Sequence, residues 1–97
     1  MQLTNIEQYC FHNSGLTEIT IPNSVTQIGI HAFSECFNLK TIIIPEGLKV
    51  IPKYCFWKSR LEEIEIPESV KMIESSAFSE CANLKRVDLP DNLEIIS

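Results

Sequence analysis

Apolar and polar residues follow a short pattern that occurs four times along the chain. The pattern is Leu-x-x-Ile-x-Ile-Pro, with branched or leucine replacements in its last copy, and it recurs every 22 or 23 residues. Its copies begin at Leu16, Leu39, Leu61 and Leu84. Other apolar columns keep the same spacing, among them Phe11, Phe33, Phe56 and Phe78. A fixed period of this length is typical of repeat architectures.

The exact repeat is a pair of copies. The distance from each column phenylalanine to the next pattern leucine alternates between five and six residues, so the unit is 45 residues long. Aligning residues 3–47 with 48–92 gives the same residue at 23 of 45 positions. That agreement indicates an internal duplication.

Each copy predicts one strand and one apolar turn. The Ile-x-Ile alternation has the period of a strand, and the proline after it ends the strand because it has no N–H to donate. Strands at this spacing can pair with their counterparts only in parallel. Ala32, Phe33 and Cys36 are spaced i, i+1 and i+4, which predicts a short helical turn with one apolar face. No copy can bury its apolar face alone, so the copies must stack into a solenoid.

The strand motif is followed by a second pattern, Ser-Val-x-x-Ile-x-x-x-Ala-Phe-x-x-Cys-x-x-Leu. Together the two patterns resemble the BspA-type leucine-rich repeat, most fully over 16–39 and 61–84. The resemblance implies an α/β solenoid of about four coils of 22–23 residues, with a parallel sheet on the concave side and short helical or irregular turns opposite. It also implies a non-enzymatic module that binds proteins, such as host matrix or cell-surface proteins, as surface adhesin repeats do. One departure is the position that holds Asn or Cys in leucine-rich repeats generally, where this chain has Ser24, Gly47, Ser69 and Asn92.

The whole chain is predicted to be one solenoid, with a partial coil 1–15, coils 16–38, 39–60 and 61–83, and a partial coil 84–97. Both ends fall within a repeat, which predicts a fragment of a longer array or a chain that self-associates through uncapped ends. The apolar residues expected at those ends are Leu3, Ile6, Leu93, Ile95 and Ile96.

Charge and composition disfavour several functions. The chain has 13 acidic and 8 basic residues and a net charge of −5, which argues against binding nucleic acid or anionic membranes. No apolar run approaches the roughly 20 residues of a membrane span, and no signal peptide is recognisable. The resemblance implies the cell surface or secretion, whereas free thiols suit the cytoplasm equally. Without a nucleophile, phosphate-loop or zinc motif, no enzyme activity, cofactor or metal is expected.

The four cysteines lie in two columns. Cys10 and Cys55 replace alanine before the column phenylalanine, and Cys36 and Cys81 occupy the family's own cysteine position. Same-column cysteines lie two coils apart, about 10 Å, too far for a disulfide. The chain is therefore expected to hold reduced core thiols, with a single bridge from Cys36 to Cys10 or Cys55 as the alternative.

The outward positions of the strands are the candidate binding residues, because the strand sheet of leucine-rich repeats usually contacts partners. Ile43 is the one large apolar residue among them, and Glu63 is expected to pair with Arg86 across strands. Catalysis by the stacked carboxylates is conceivable but a short solenoid offers no deep pocket for it. The eight candidates form two rows: Glu18, Thr41, Glu63 and Arg86, then Thr20, Ile43, Glu65 and Asp88.

Trp57 stands in a column that is polar in the other copies, so it is expected on the outer turn near Tyr9 and Tyr54. Two interpretations remain open: an exposed aromatic contact for a partner, or a ring that packs over Lys58 or a neighbouring coil. Two other functions are also alternatives: a structural spacer or self-assembling array, and carbohydrate binding through Trp57 and the carboxylates. His12 is expected to be an ordinary surface residue, and so is His31.

Overall fold

Nine short parallel strands alternate with turns in the computed structural model, which describes residues 3–91 and 93–96. Odd-numbered strands have two residues and even-numbered strands have three. No helix occurs in this described part, hence none that could cross a membrane. The strands are β1 Asn5–Ile6, β2 Glu18–Thr20, β3 Gln27–Ile28, β4 Thr41–Ile43, β5 Val50–Ile51, β6 Glu63–Glu65, β7 Met72–Ile73, β8 Arg86–Asp88 and β9 Ile95–Ile96.

Strands pair only with the same strand of a neighbouring coil, as the repeat predicts. β2 pairs with β4 and β6 with β8, and β4 also packs against β6. In each pair the register joins equivalent columns, for example Ile19 with Ile42 and Ile64 with Val87. The predicted parallel pairing is therefore confirmed, although the three-residue strands form two separate hydrogen-bonded pairs and not one continuous sheet.

A second row of strands was not predicted. β1 pairs with β3, and β5, β7 and β9 form a three-stranded ladder. Each of these strands has two residues, and in β1 and β3 only the second is buried. Such a strand is too short to show an alternating pattern. Each complete coil thus contributes one three-residue and one two-residue strand to two parallel stacks.

The segment around each column phenylalanine is a series of turns. The expected helical turn at Ala32, Phe33 and Cys36 does not form, because His31 and Glu35 have φ of 58° and 54°, outside the right-handed helical region. The N–H of Phe33 donates to the Cys55 carbonyl of the next coil at 2.9 Å, where a helix would bond within its own turn. The same pair of left-handed positions recurs in the equivalent turns, at Tyr9 and Asn13, Tyr54 and Lys58, and Ser76 and Glu80.

The phenylalanine column forms the centre of the core. Its rings stack in near-parallel pairs, with centroids 5.3, 5.7 and 5.4 Å apart from Phe11 to Phe78. Phe33 and Phe56 are fully buried, and the outer two rings are partly buried. Columns of leucine, isoleucine and valine complete the core, including Leu39, Leu61, Ile51 and Val70. The stacking of coils therefore buries what no single coil can bury.

Small polar side chains form hydrogen bonds between consecutive coils. Some of them stand in the column that holds Asn or Cys in leucine-rich repeats generally and serine in two copies here. The hydroxyls of Ser24 and Ser69 donate to the carbonyls of Leu3 and Leu48, each at 2.6 Å. Asn92, in the same column, lies outside the described residues. In another column, the Cys36 thiol donates to the Phe11 carbonyl at 3.1 Å and the Cys81 thiol does the same to Phe56 at 3.0 Å. Both contacts recur every second coil, which is the 45-residue period.

All four cysteines are free, as expected, but they are not all core thiols. Cys36 and Cys55 are buried and Cys81 is half-buried, whereas Cys10 is exposed because no earlier described coil covers it. Burial raises the pKa of the Cys55 thiol, and the nearby Cys36 thiol adds to this effect. Burial also raises the pKa of Cys81, partly offset by hydrogen bonding with Ser59.

Gly29 provides a test of the close packing of coils. A Cβ atom at Gly29 would overlap the backbone nitrogen and Cα of Gln8 in the preceding coil. We therefore expect Gly29→Ala to lower the free energy of unfolding by about 1–3 kcal/mol. At Gly15 an added Cβ has no neighbour within 4 Å, so Gly15→Ala is the matched control, expected to be neutral or slightly stabilising. Equal destabilisation of the two variants in urea titrations would contradict this packing.

The cysteine environments predict a graded reactivity. In the folded protein at neutral pH, a thiol reagent should modify Cys10 quickly, since its side chain is exposed. Cys55 and Cys81 should react slowly, because a raised pKa leaves little thiolate. Four thiols should react after unfolding in urea, and Cys10→Ala should abolish the fast phase alone. A fast phase that persists in this variant would contradict the assignment.

Candidate functional site

The structure brings the eight predicted binding residues onto one surface. Each three-residue strand turns its first and third side chains outward, and all eight are exposed. Register places Glu18 beside Thr41 and Thr20 beside Ile43. In the same way, β6 and β8 place Glu63 beside Arg86 and Glu65 beside Asp88. We call this surface the strand face; it comprises Glu18, Thr20, Thr41, Ile43, Glu63, Glu65, Arg86 and Asp88.

An open groove of about 720 Å³ runs beside Ile43 on this face. Ile43 is 61% exposed, which is the largest exposure of a large apolar side chain in the described residues. Thr20 and Glu65 of the same row line the groove, and Glu46 lies on its wall in the loop after β4. The groove therefore combines an apolar floor with acidic walls.

The strand face is acidic. Its four carboxylates and one guanidinium sum to a charge of −3. Arg86 lies opposite Glu63 in register, as expected, but its ion pair is with Asp88 on its own strand, with Nε and Oδ1 3.1 Å apart. The hydrogen bond to Asp88, followed by the charges of Asp88 and Glu63, raises the pKa of Arg86. The ion pair of Arg86 is thus formed with Asp88 within β8, in place of the expected cross-strand ion pair with Glu63.

The chemistry available on this face is recognition by charge and apolar contact. Its carboxylates are solvent-exposed, so they are solvated acids. In the part of the chain that the structure describes, no cluster of His, Cys, Asp and Glu is arranged to hold a metal ion. The shallow shape suits an extended partner segment better than a small molecule, which needs an enclosing pocket.

A second surface consists of aromatic residues on the turns. The His31 ring lies between those of Tyr9 and Tyr54, with centroids 4.7 and 4.8 Å away and planes within 7°. Trp57 meets the His31 ring edge-on at 5.9 Å, and His12 meets Tyr9 edge-on at 5.4 Å. Sequence reasoning placed Tyr9 and Tyr54 near Trp57 but missed the stack, although all three stacked residues stand two positions before a column phenylalanine.

The two histidines are more constrained than surface residues. Both are half-buried. His12 Nδ1 is 2.7 Å from the Ser34 hydroxyl, and its Nε2 is 3.6 Å from a Glu35 carboxylate oxygen. His31 Nδ1 is buried and has no hydrogen-bond partner among the described residues. The stacking with two tyrosines therefore holds the His31 ring. Both histidines lie partly exposed on the turns, with ring and hydrogen-bond contacts that the sequence did not predict.

Trp57 is held by its own neighbours. The Lys58 ammonium lies over its ring at 4.5 Å from the centroid, and the indole N–H donates to Glu80 at 3.2 Å. One face of the ring is covered by Lys58, and the polar edge is already bonded. This favours the interpretation in which Trp57 packs over Lys58 and contacts a neighbouring coil.

The two-residue strands carry a depression that the sequence did not single out. It has a volume of about 440 Å³ and mixes both charges, with Glu7, Lys49 and Glu74 on its rim. The polar residues Asn5 and Gln27 also line it. No large apolar side chain is exposed in this depression, so nothing distinguishes it from ordinary protein surface.

Comparisons with known proteins agree on the fold. A leucine-rich repeat protein from Bacteroides ovatus is 30% identical, with a TM-score of 0.93 over 98% of this chain. The leucine-rich repeat protein of T. pallidum is 29% identical, with a TM-score of 0.82 over 97%. A leucine-rich cell surface protein from Faecalibacterium prausnitzii is 29% identical, with a TM-score of 0.66 over 89%. The chain spans 25%, 45% and 29% of their respective lengths.

No curated protein matches the chain significantly. The sequence model of the BspA-type leucine-rich repeat region matches residues 4–97 in six copies. This match covers both strand rows and the turns between them. The resemblance carried by the Ile-Pro, Ala-Phe and Cys positions is therefore confirmed, and the chain belongs to the BspA-type leucine-rich repeat family.

Proposed function

We propose that this chain is a non-enzymatic module that binds a partner protein through the strand face. The observation that carries the proposal is Ile43, a 61% exposed isoleucine in the middle of a regular polar surface. Its strand is hydrogen-bonded to β2 and packed against β6, so a partner meets a preformed site. Strand-face binding is also the mode that leucine-rich repeats typically use.

Location at the cell surface or in the secreted fraction forms part of this proposal. It is supported by the family and by the similar structure described as a cell surface protein. Partners there include matrix and surface proteins, which adhesin repeats contact.

A structural spacer or self-stacking array is the second candidate. Leu3 and Leu89, in the outer described coils, are 54% and 48% exposed, whereas Ile6 is buried despite its place near the end. The side chains of Ile95 and Ile96 lie outside the described part. A further coil stacked on either side would cover residues such as Leu3. In that case the contacts would be between coils and would not involve the strand face.

Carbohydrate binding is less well supported. Sugar rings stack on open aromatic faces, but the faces of His31 are covered by Tyr9 and Tyr54. Lys58 covers one face of Trp57. Tyr9 and Tyr54 each have one ring face covered by His31, so the open ring surface is limited to their outer sides.

A binding screen tests the proposal. The chain is tested against immobilised matrix proteins and a glycan panel, together with Ile43→Glu/Glu63→Lys. We expect saturable binding to at least one protein. In the variant the affinity should fall at least about tenfold, because an apolar anchor is replaced by an acid and a second charge is reversed.

The matched control is Gln27→Glu/Glu7→Lys, which makes the same net charge change beside the two-residue strands. It should bind like the unaltered chain. Equal losses in both variants would contradict strand-face binding. Concentration-dependent oligomers that persist in both variants, with no protein bound, would favour the array.

A further inference from the structure

We propose that the strand face recognises a cationic segment of its partner, in which an apolar residue is flanked by lysine or arginine. This inference rests on the proposed function and specifies the chemistry of the partner. The apolar residue would pack on Ile43, and the flanking cations would face the carboxylates around it.

The first support is uncompensated charge. Of the ion pairs among the described residues, the one on the strand face joins Arg86 to Asp88. Glu18, Glu63 and Glu65 form no ion pair there, and the nearest base to act on Glu63 and Glu65, Arg86, is itself paired with Asp88. Glu63 and Glu65 lie on the same side of β6, about 7 Å apart along the strand. Glu65 also lies directly opposite Asp88 in register, and like charges in that position are destabilising, a cost that a cationic partner relieves.

The second support is the position of Ile43 relative to these acids. Ile43 and Glu65 occupy the same row in adjacent coils, on strands β4 and β6 that pack against each other, and both line the groove. Glu63 lies diagonally from Ile43, and Glu46 is on the wall of the groove. In an extended partner, residues two apart point the same way at about 7 Å spacing. A basic–x–apolar–x–basic segment therefore places its apolar residue on Ile43 with cations within reach of these carboxylates.

The same charges disfavour other occupants. Nucleic acids and anionic lipid surfaces carry phosphates, which the acidic face repels. A second copy of this chain would bring its own acidic strand face. Solubility accounts for the carboxylates alone, whereas the groove beside Ile43 joins an apolar side chain to Glu46 and Glu65 in one recess. A cationic segment with an apolar centre satisfies both features.

The test uses three fluorescein-labelled peptides and measures anisotropy on titration with the folded chain. The first contains Lys-Thr-Leu-Thr-Lys, the second Glu-Thr-Leu-Thr-Glu and the third Lys-Thr-Ser-Thr-Lys. We expect the first to bind best, the second not to bind, and the third to bind several-fold more weakly. Affinity for the first should fall when NaCl is raised from about 50 to about 300 mM, because the contacts are exposed charges.

Variants assign the binding to the strand face. Glu63→Gln/Glu65→Gln should weaken the first peptide about tenfold, and Ile43→Thr, which installs the residue type of Thr20, about fivefold. The control Glu7→Gln/Glu74→Gln removes the same charge beside the two-residue strands and should leave the affinity unchanged. Circular dichroism should show that each variant is folded, since all but the half-buried Glu74 are exposed positions.

The outcomes separate this inference from the proposed function. Equal binding of the cationic and anionic peptides, or equal losses in the strand-face and control variants, would overturn the inference. If no peptide binds while a matrix protein still binds and is lost in Ile43→Glu/Glu63→Lys, the proposed function stands and the cationic partner is wrong. If neither peptides nor proteins bind, both are wrong.

Discussion

The contact between one coil and the next is the constraint on which the whole structure depends. A single coil has two or three residues in each strand, too few to form a sheet or to enclose a core. Its backbone groups bond to the next coil, even on the turns, where Phe33 donates to Cys55. Its aromatic side chain is buried only between the rings of neighbouring coils. Stability is therefore shared among coils and belongs to none of them separately.

The same constraint explains the duplication of 45 residues. Consecutive coils are not equivalent, since Ser24 and Ser69 bond to a preceding carbonyl while Gly47 has no side chain to do so. Cys36 and Cys81 make a second set of bonds with the same period. A pair of coils is thus the smallest unit that carries the full set of polar contacts between coils. The two halves of the chain keep the same residues at these contacting positions.

Much of the fold could be predicted from the sequence, because stacked columns repeat each signal several times. The three-residue strands and their register follow from Ile-x-Ile-Pro. The two-residue strands could not, since Gln27–Ile28 shows no alternation. The turns were misjudged because the spacing of Ala32, Phe33 and Cys36 fits a helical turn as well as this one. The left-handed column of Glu35 contains one residue type that favours this conformation, Asn13, whereas Glu35, Lys58 and Glu80 give no such signal. The strand face was predicted by position, whereas the Arg86–Asp88 pair depends on side-chain conformation that the sequence does not specify.

The central claim is that a rigid strand face, and not the aromatic turns, contacts a partner. Backbone NMR of the labelled chain, titrated with a protein partner, tests it most directly. Binding through the strand face should shift resonances centred on residues 41–43 and 63–65, where Ile43 and two of the carboxylates lie. It predicts little change at residues 53–58, which include Tyr54 and Trp57. Shift changes centred on 53–58, with 41–43 unaffected, would contradict it.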